Sequence, residues 1–323
     1  MPTLRNVMKL LWFLGVLMLL AGCRAQSGLL RPNGVAVAPD GSLYIMDRGN
    51  YRVVHLAADG KFINAFGKLG SAPEDIYGGW DIVLDKSGNI YICDLVYNED
   101  GSARIRDGVK MFTPDGKLLR EIGAQHNTPE VTSESPYGLA IDSVGRIYVA
   151  NIGTNSVRVF DADGNLLGRF LGETGSAPGQ GNGINDVAVD EVLNLLYVAD
   201  SFNSRVQQFR LLFAADGSLS LEFVRTFGEY GNDPGQMAYP LYLAVNPQTH
   251  LLYVGDMANQ RIQIFDVQGN VQGEIRAPGV ENWQVMGLDV AADGKIYAAD
   301  ALNSLIWAFN PDGTLYQRYK GDR

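Results

Sequence analysis

Residues 34–67 read GVAVAPDGSLYIMDRGNYRVVHLAADGKFINAFG, and this stretch decides the fold. Two Asp-Gly pairs, Asp40-Gly41 and Asp59-Gly60, cut it into short apolar runs with the composition of strands joined by tight hairpin turns. Its second run returns five times, as GNIYICD around Tyr91, GRIYVAN around Tyr148, NLLYVAD around Tyr197, HLLYVGD around Tyr253 and GKIYAAD around Tyr297. From Tyr44 onward the tyrosines are spaced 47, 57, 49, 56 and 44 residues apart. A period of that size with four short strands per copy predicts one propeller blade per repeat. Six copies predict an all-β, six-bladed β-propeller of four-stranded antiparallel blades.

Antiparallel strands place alternate turns on opposite faces. The first-to-second and third-to-fourth turns share one face and are short, as at Ser87-Gly88, Val144-Gly145 and Asp163-Gly164. The other face receives the second-to-third turns and every blade-to-blade connection, over 67–80, 95–108, 123–137, 172–186, 228–241 and 277–286. Long loops on a rigid scaffold are where functional residues collect, so this long-loop face is the expected binding face.

The recurring set of a VAV-type strand, a D-G turn, Y-I/V-x-D, N-x-R-V, a second D-G and a closing F-G resembles the NHL-repeat family of six-bladed propellers. The likeness extends over roughly residues 31–320, with linkers GKLGSAPED (67–75), GETGSAPGQGNG (172–183) and GEYGNDPGQ (228–236). A propeller hosts many activities, so fold alone does not name one. The resemblance implies a binding platform, as in the extracellular sensor domains of bacterial receptor kinases, or an enzyme of the amidating-lyase or gluconolactonase type.

The chain opens with Arg5 and Lys9, then runs uncharged through LLWFLGVLMLLAG (10–22) to Cys23. Thirteen apolar residues are too few to span a bilayer and fit a secretory signal. Leu20-Ala21-Gly22-Cys23 resembles the bacterial lipobox, which implies lipidation at Cys23 and, with Arg24 following, outer-membrane sorting in a Gram-negative source. The expected organisation is a lipoprotein signal peptide over 1–23, a short tether over 24–31 and the propeller over 32–323. The expected location is extracytoplasmic and membrane-anchored, with the protein a monomer.

Net charge is −10, or −12 once Arg5 and Lys9 leave. An acidic surface argues against nucleic acid, whose phosphates need a basic face. Cys93 is the one cysteine beyond Cys23, so the mature chain has no internal disulfide. It occupies a packing position filled by Met46, Ala150, Ala199, Gly255 and Ala299 in the other copies, which makes a nucleophile unexpected there.

Asp47, Asp94, Asp200, Asp256 and Asp300 end the second strands, with Asn151 in the same slot. Arg52, Arg205 and Arg261 follow their aspartates by five residues. In copy three both charges vanish, as Asn151 and Ser156, which is the behaviour of an ion-pair brace rather than a ring of metal ligands. Asp300 faces Leu305 and is expected to bond backbone N–H groups. Asn50, Asn203, Asn259 and Asn303 fit turn positions of left-handed φ.

Function must come from where the copies differ. The entrances of the innermost strands, beside the channel on the long-loop face, read Asn33, Trp80-Asp81, Tyr137, Asn185-Asp186, Tyr242 and Met286. Asn33, Trp80, Asp81, Tyr137, Asn185, Asp186 and Tyr242 are therefore the candidate ligand-binding set, for a protein, peptide or glycan. In an alternative enzyme reading Asp81 and Asp186 are catalytic, and Asp81, Asn185 and Asp186 hold one divalent cation such as calcium. The competing reading makes the acids rim residues and the aromatics a channel plug.

The insertion VYNEDGSARIRDG (96–108) in blade two reads as a recognition loop, a lid or a hairpin extension, with Arg106 available to replace the brace arginine missing at Gly108. Amidating lyases resemble histidine-zinc enzymes. Here His55 falls in a third strand, His250 in a trimmed-face turn and His126 in a loop, so the three do not converge. Gluconolactonase-like propellers imply a glutamate, two asparagines and an aspartate on the metal; QSGLLRPN (26–33) lacks the glutamate. No G-x-S-x-G elbow and no phosphate-binding glycine loop occurs. A non-catalytic scaffold without a cofactor is the expectation.

Overall fold

A computed structural model describes residues 28–98, 104–126 and 134–321. Cys23 and its leader, residues 99–103 at the tip of the blade-two insertion, and residues 127–133 lie outside the described residues. The described residues form six four-stranded antiparallel sheets, each built from four consecutive strands. Blades one to six occupy 34–66, 82–126, 136–171, 184–227, 240–275 and 285–319. The innermost strand of each blade packs against the innermost strands of its neighbours, and blade six returns to blade one.

The short turns need glycine for a stated reason. Gly41 donates its N–H to the Ala38 carbonyl at 2.8 Å with φ +83°, a conformation that a Cβ makes costly. Both faces of a blade are covered by other blades, so the second strands are apolar up to the Asp or Asn that ends them. Leu43–Asp47, Ile147–Asn151 and Ile296–Asp300 are buried along their whole length. Outer strands such as Leu315–Tyr319 alternate between half-exposed and exposed positions instead, as a one-sided strand must.

Six apolar clusters fill the six blade interfaces among the described residues. The cluster between blades six and one joins Leu29, Val35, Ile45 and Leu56 to Tyr297, Ile306, Ala308 and Tyr319. The ring closes by this packing, because Leu315–Tyr319 is blade six's own fourth strand. A few polar contacts join in: Leu29 N–H donates to the Lys320 carbonyl at 2.9 Å, and the Tyr319 hydroxyl to the Ala58 carbonyl at 3.2 Å. Residues 28–31 of the expected tether are fixed to blades one and six. Leu30 N–H donates to Asp47 Oδ1 at 2.6 Å, and Leu30 O accepts the Gly49 N–H at 2.8 Å.

The aspartate braces are ion pairs within a blade. Arg52, Arg205 and Arg261 place Nε 2.8, 2.7 and 2.9 Å from Asp47, Asp200 and Asp256. The same carboxylates accept N–H groups of the connections, from Asn182 to Asp200 and from Ala238 to Asp256, each at 2.7 Å. The brace therefore ties the incoming loop to its blade. Asp300 bonds the Asn303 backbone N–H at 3.1 Å and the Trp307 indole N–H at 2.9 Å.

Two expectations are corrected, and one open alternative is decided. Asn50, Asn203, Asn259 and Asn303 do not carry the left-handed φ; Tyr51, Ser204, Gln260 and Ser304, one residue later, do. Each asparagine instead donates its side-chain amide to the brace aspartate, at 2.8 Å for Asn50. The blade-two insertion is a hairpin extension, since strands run over Ile90–Tyr97 and Arg104–Phe112. The partner of Asp94 is Lys110 Nζ at 2.7 Å, whereas Arg106 pairs with Glu121 at 3.1 Å and reaches the Ser71 carbonyl.

Candidate functional site

The free edge of every innermost strand faces the channel, and its N–H groups have no partner strand. Three carboxylates answer this in alternate blades. Asp81 of blade two accepts the Leu139 N–H of blade three at 2.8 Å. Asp186 of blade four accepts the Leu243 N–H of blade five at 2.7 Å. Asp289 of blade six accepts the Val37 N–H of blade one at 2.8 Å. Asp81 also takes the Ile82 N–H at 2.8 Å and Asp289 the Val290 N–H at 2.7 Å. These acids staple neighbouring blades at the axis.

Burial pushes all three upward. Asp81 rises to about 7 through desolvation, with the Asp289 charge adding to it. Asp289 rises to about 6 by desolvation. Asp186 lies well above the ordinary carboxylate range, first by desolvation and then by the Asp81 charge. Asp186 Oδ1 has no hydrogen-bond partner among the described residues. Gly138 makes room for this carboxylate: a Cβ there would stand 2.1 Å from Asp186 Oδ1 and 2.6 Å from the Asn185 carbonyl oxygen.

The amides differ in availability. Asn185 is spent on structure, its Nδ2 donating to Ser201 Oγ at 2.7 Å and to the Gly183 carbonyl at 2.9 Å. Asn33 is buried, with Nδ2 unpaired among the described residues. No three histidine, cysteine or acidic side chains among the described residues converge as a metal-binding group. Within the expected cation set of Asp81, Asn185 and Asp186, both Asp81 oxygens and Asp186 Oδ2 accept backbone N–H groups, whereas Asp186 Oδ1 has no hydrogen-bond partner among the described residues. His55 stacks on Tyr44 at 4.0 Å and His250 Nδ1 meets Asp190 at 2.7 Å, both remote from one another in the repeat. Cys93 is fully buried against the Gly138 carbonyl, which raises its thiol well above the usual range.

Above the staples lies an aromatic mouth. Trp80 and Tyr137 stack with centroids 4.1 Å apart and planes 21° from parallel. The Arg48 guanidinium covers the other part of this stack, 4.0 Å from the Trp80 ring centre. Arg48 belongs to the turn between the second and third strands of blade one. Its Nε has no hydrogen-bond partner, and no carboxylate pairs with it among the described residues. Desolvation lowers its affinity for the proton, against the pull of Tyr137. Desolvation and then the Asp81 and Asp186 charges push Tyr242 upward, and Tyr137 rises to about 12 through desolvation. The arrangement is a cation held on an aromatic platform with open hydrogen-bonding capacity, suited to an anion flanked by an apolar or planar group.

Of the seven predicted site residues, Trp80, Tyr137 and Tyr242 gather at this mouth. Asp81 and Asp186 lie beneath it as staples, and Met286, an entrance residue outside the seven, is half-buried. Arg48 and Asp289 were not in the set. Both stand out when the copies are aligned: Arg48 replaces Leu95, Ile152, Ser201, Met257 and Ala301, and Asp289 replaces Ala36, Val83, Ala140, Ala188 and Ala244.

The NHL repeat family model matches residues 29–56. The chain is 29% identical over 189 residues to the peptidylglycine α-amidating monooxygenase of Rattus norvegicus, across 55% of this chain and 18% of that protein. It is 27% identical over 220 residues to the E3 ubiquitin-protein ligase TRIM32 of Mus musculus, across 63% of this chain and 33% of that protein. The chain thus spans less than a fifth of the first relative and a third of the second. Among solved structures, a gluconolactonase from Xanthomonas campestris superposes with a TM-score of 0.64 at 16% identity, over 87% of this chain and 86% of that one. At that identity the likeness is one of fold.

Proposed function

We propose that this propeller is a binding scaffold whose channel mouth takes an acidic group of a peptide or glycan ligand. The observation that carries the reading is Arg48: a half-buried cation without a carboxylate, laid on the Trp80–Tyr137 stack. Leaving a desolvated cation unpaired is costly in a folded chain, and a ligand anion would repay it. Calorimetry with peptides ending in a free carboxylate or an amide, and with uronate or neutral oligosaccharides, tests it. The acidic member of a pair should bind, and Arg48→Gln should weaken that binding by ten- to a hundredfold. Equal binding of acid and neutral forms to the wild type would overturn the reading.

A second reading, a lyase or hydrolase, is favoured by the open Asp186 Oδ1 below the mouth and by the match to the amidating monooxygenase. Among the described residues the acids do not converge as a metal-binding group, so no metal-dependent step is derived. Turnover of lactone, ester or α-hydroxyglycine substrates that Asp186→Asn abolishes would favour it over the scaffold.

A further inference from the structure

The place where the chain enters the propeller has a consequence for its orientation. Gly28 lies against the second-to-third turn of blade one: its carbonyl accepts Asn50 Nδ2 at 3.2 Å and Arg52 Nη2 at 3.1 Å. Arg31 N–H reaches Ser304 Oγ at 3.2 Å in the corresponding turn of blade six. Both turns belong to the long-loop face, so Gly28, the first described residue, lies on the face that carries the Arg48 mouth. Leu30 bonds Gly49, the residue after Arg48, which puts the attachment beside the mouth itself.

Cys23 of the Leu20-Ala21-Gly22-Cys23 motif stands five residues before Gly28. Five peptide steps reach at most about 18 Å. We propose that the long-loop face is a membrane-facing surface: acyl chains on Cys23 and this short attachment hold the mouth toward the bilayer. The proposal rests on the binding reading and deepens it, because the ligand's acidic group then comes from the membrane surface rather than from bulk solvent. The charge near the attachment agrees. Arg31 is exposed and close enough to Arg48 to act on its charge, on a chain whose net charge is −10. A local basic group suits an anionic lipid surface, where each such residue contributes on the order of 1 kcal/mol.

The test uses the full-length lipidated protein in phosphatidylcholine vesicles containing one-fifth phosphatidylglycerol and an acceptor dye in the headgroup layer. Cys93 is buried and stays unlabelled. A donor goes on Leu302→Cys in the long-loop face of blade six, or on Ala292→Cys in the trimmed face of the same blade; both positions are exposed. Energy transfer should be severalfold stronger from 302 than from 292. Inserting thirty Gly/Ser residues after Ser27 should erase the difference. Equal transfer from the two sites, a stronger signal from 292, a difference that survives the insertion, or a Cys23 without acyl mass would each overturn the proposal. Acid-selective binding by the same protein in detergent stands or falls separately, so a failed orientation and a failed binding reading are told apart.

Discussion

Asp81 accepts the backbone N–H of Leu139 at 2.8 Å across 58 residues of sequence and one blade boundary. The bond turns a free strand edge into part of a closed ring. Asp186 with Leu243 and Asp289 with Val37 repeat it, so alternate blades supply the acid and the blades between them supply the N–H. Asp81→Ala orphans two buried donors, Leu139 and Ile82. Each such loss costs about 1–3 kcal/mol, and chemical denaturation should show a drop of at least that size. An unchanged midpoint would remove the staple from the account of the fold.

The same acids set a pH dependence. Asp81 rises from the model-peptide value near 3.8 to about 7, and Asp289 to about 6. The folded state thus binds protons more tightly than the unfolded chain between pH 4 and 7. Their stabilisation is complete below about pH 4 and is lost as pH rises through the folded values. Thermal melts of the wild type and Asp81→Asn at pH 4.5 and 7.5 isolate this contribution. The wild type should lose more between the two pH values than the variant does; parallel losses would show that Asp81 titrates as an ordinary aspartate.

Gly138 stands where the backbone of the next blade leaves no room for a side chain. A Cβ would lie 2.5 Å from Asp186 Cα and 2.6 Å from the Asn185 carbonyl, both backbone atoms that cannot swing aside. Gly138→Ala should therefore force blades three and four apart and cost several times what a surface substitution does, about 1–3 kcal/mol as overpacking. A melting temperature within error of wild type would show that the inner strands are less closely apposed.

The braces predict a graded series. Arg261 is almost fully buried with Asp256, Gln236 and Glu274 around its guanidinium, whereas the Arg52 side chain is 19% exposed. Removing one partner of a buried pair costs about 3–5 kcal/mol because the other charge stays behind. Arg261→Ala should approach that range and Arg52→Ala should fall below it, as read by urea titration.

Much of this was legible because repeats expose themselves to comparison. Six copies gave the blade count, the face with long loops and the role of Asp47–Arg52, since the pair disappears jointly at Asn151 and Ser156. Single-residue departures were harder to weigh. Asp289 replaces alanine or valine three positions past the blade-six entrance at Met286, so it falls outside the strand entrances. Arg48 sits in a turn of otherwise mixed residues, where an exposed arginine would be unremarkable; only three dimensions place Trp80 beneath it. Asn50 and its equivalents misled for a physical reason. Asparagine tolerates left-handed φ, yet here a neighbouring carboxylate recruits its amide, and the strain moves to Tyr51, Ser204, Gln260 and Ser304. The charged insertion of blade two reads as a polar run in sequence, yet it lies on strands, with Arg104 paired to Asp107 of its own strand and Arg106 to Glu121 of the next.

Arg48 offers the sharpest separation of function from stability. A structural arginine loses stability when removed, through its unpaired partner. Arg48 has no carboxylate partner among the described residues, and its Nε is buried without a hydrogen bond. Arg48→Gln removes a desolvated charge, so its melting temperature should equal or exceed that of the wild type. The same change should alter the emission of Trp80, whose ring loses a cation at 4.0 Å, and should abolish the preference for acidic ligands. Trp80→Ala provides the complement: the platform goes, the cation remains, and affinity should fall while acid selectivity persists. A destabilised Arg48→Gln with unaltered ligand selectivity would make this residue another brace, and the mouth would need a different cation.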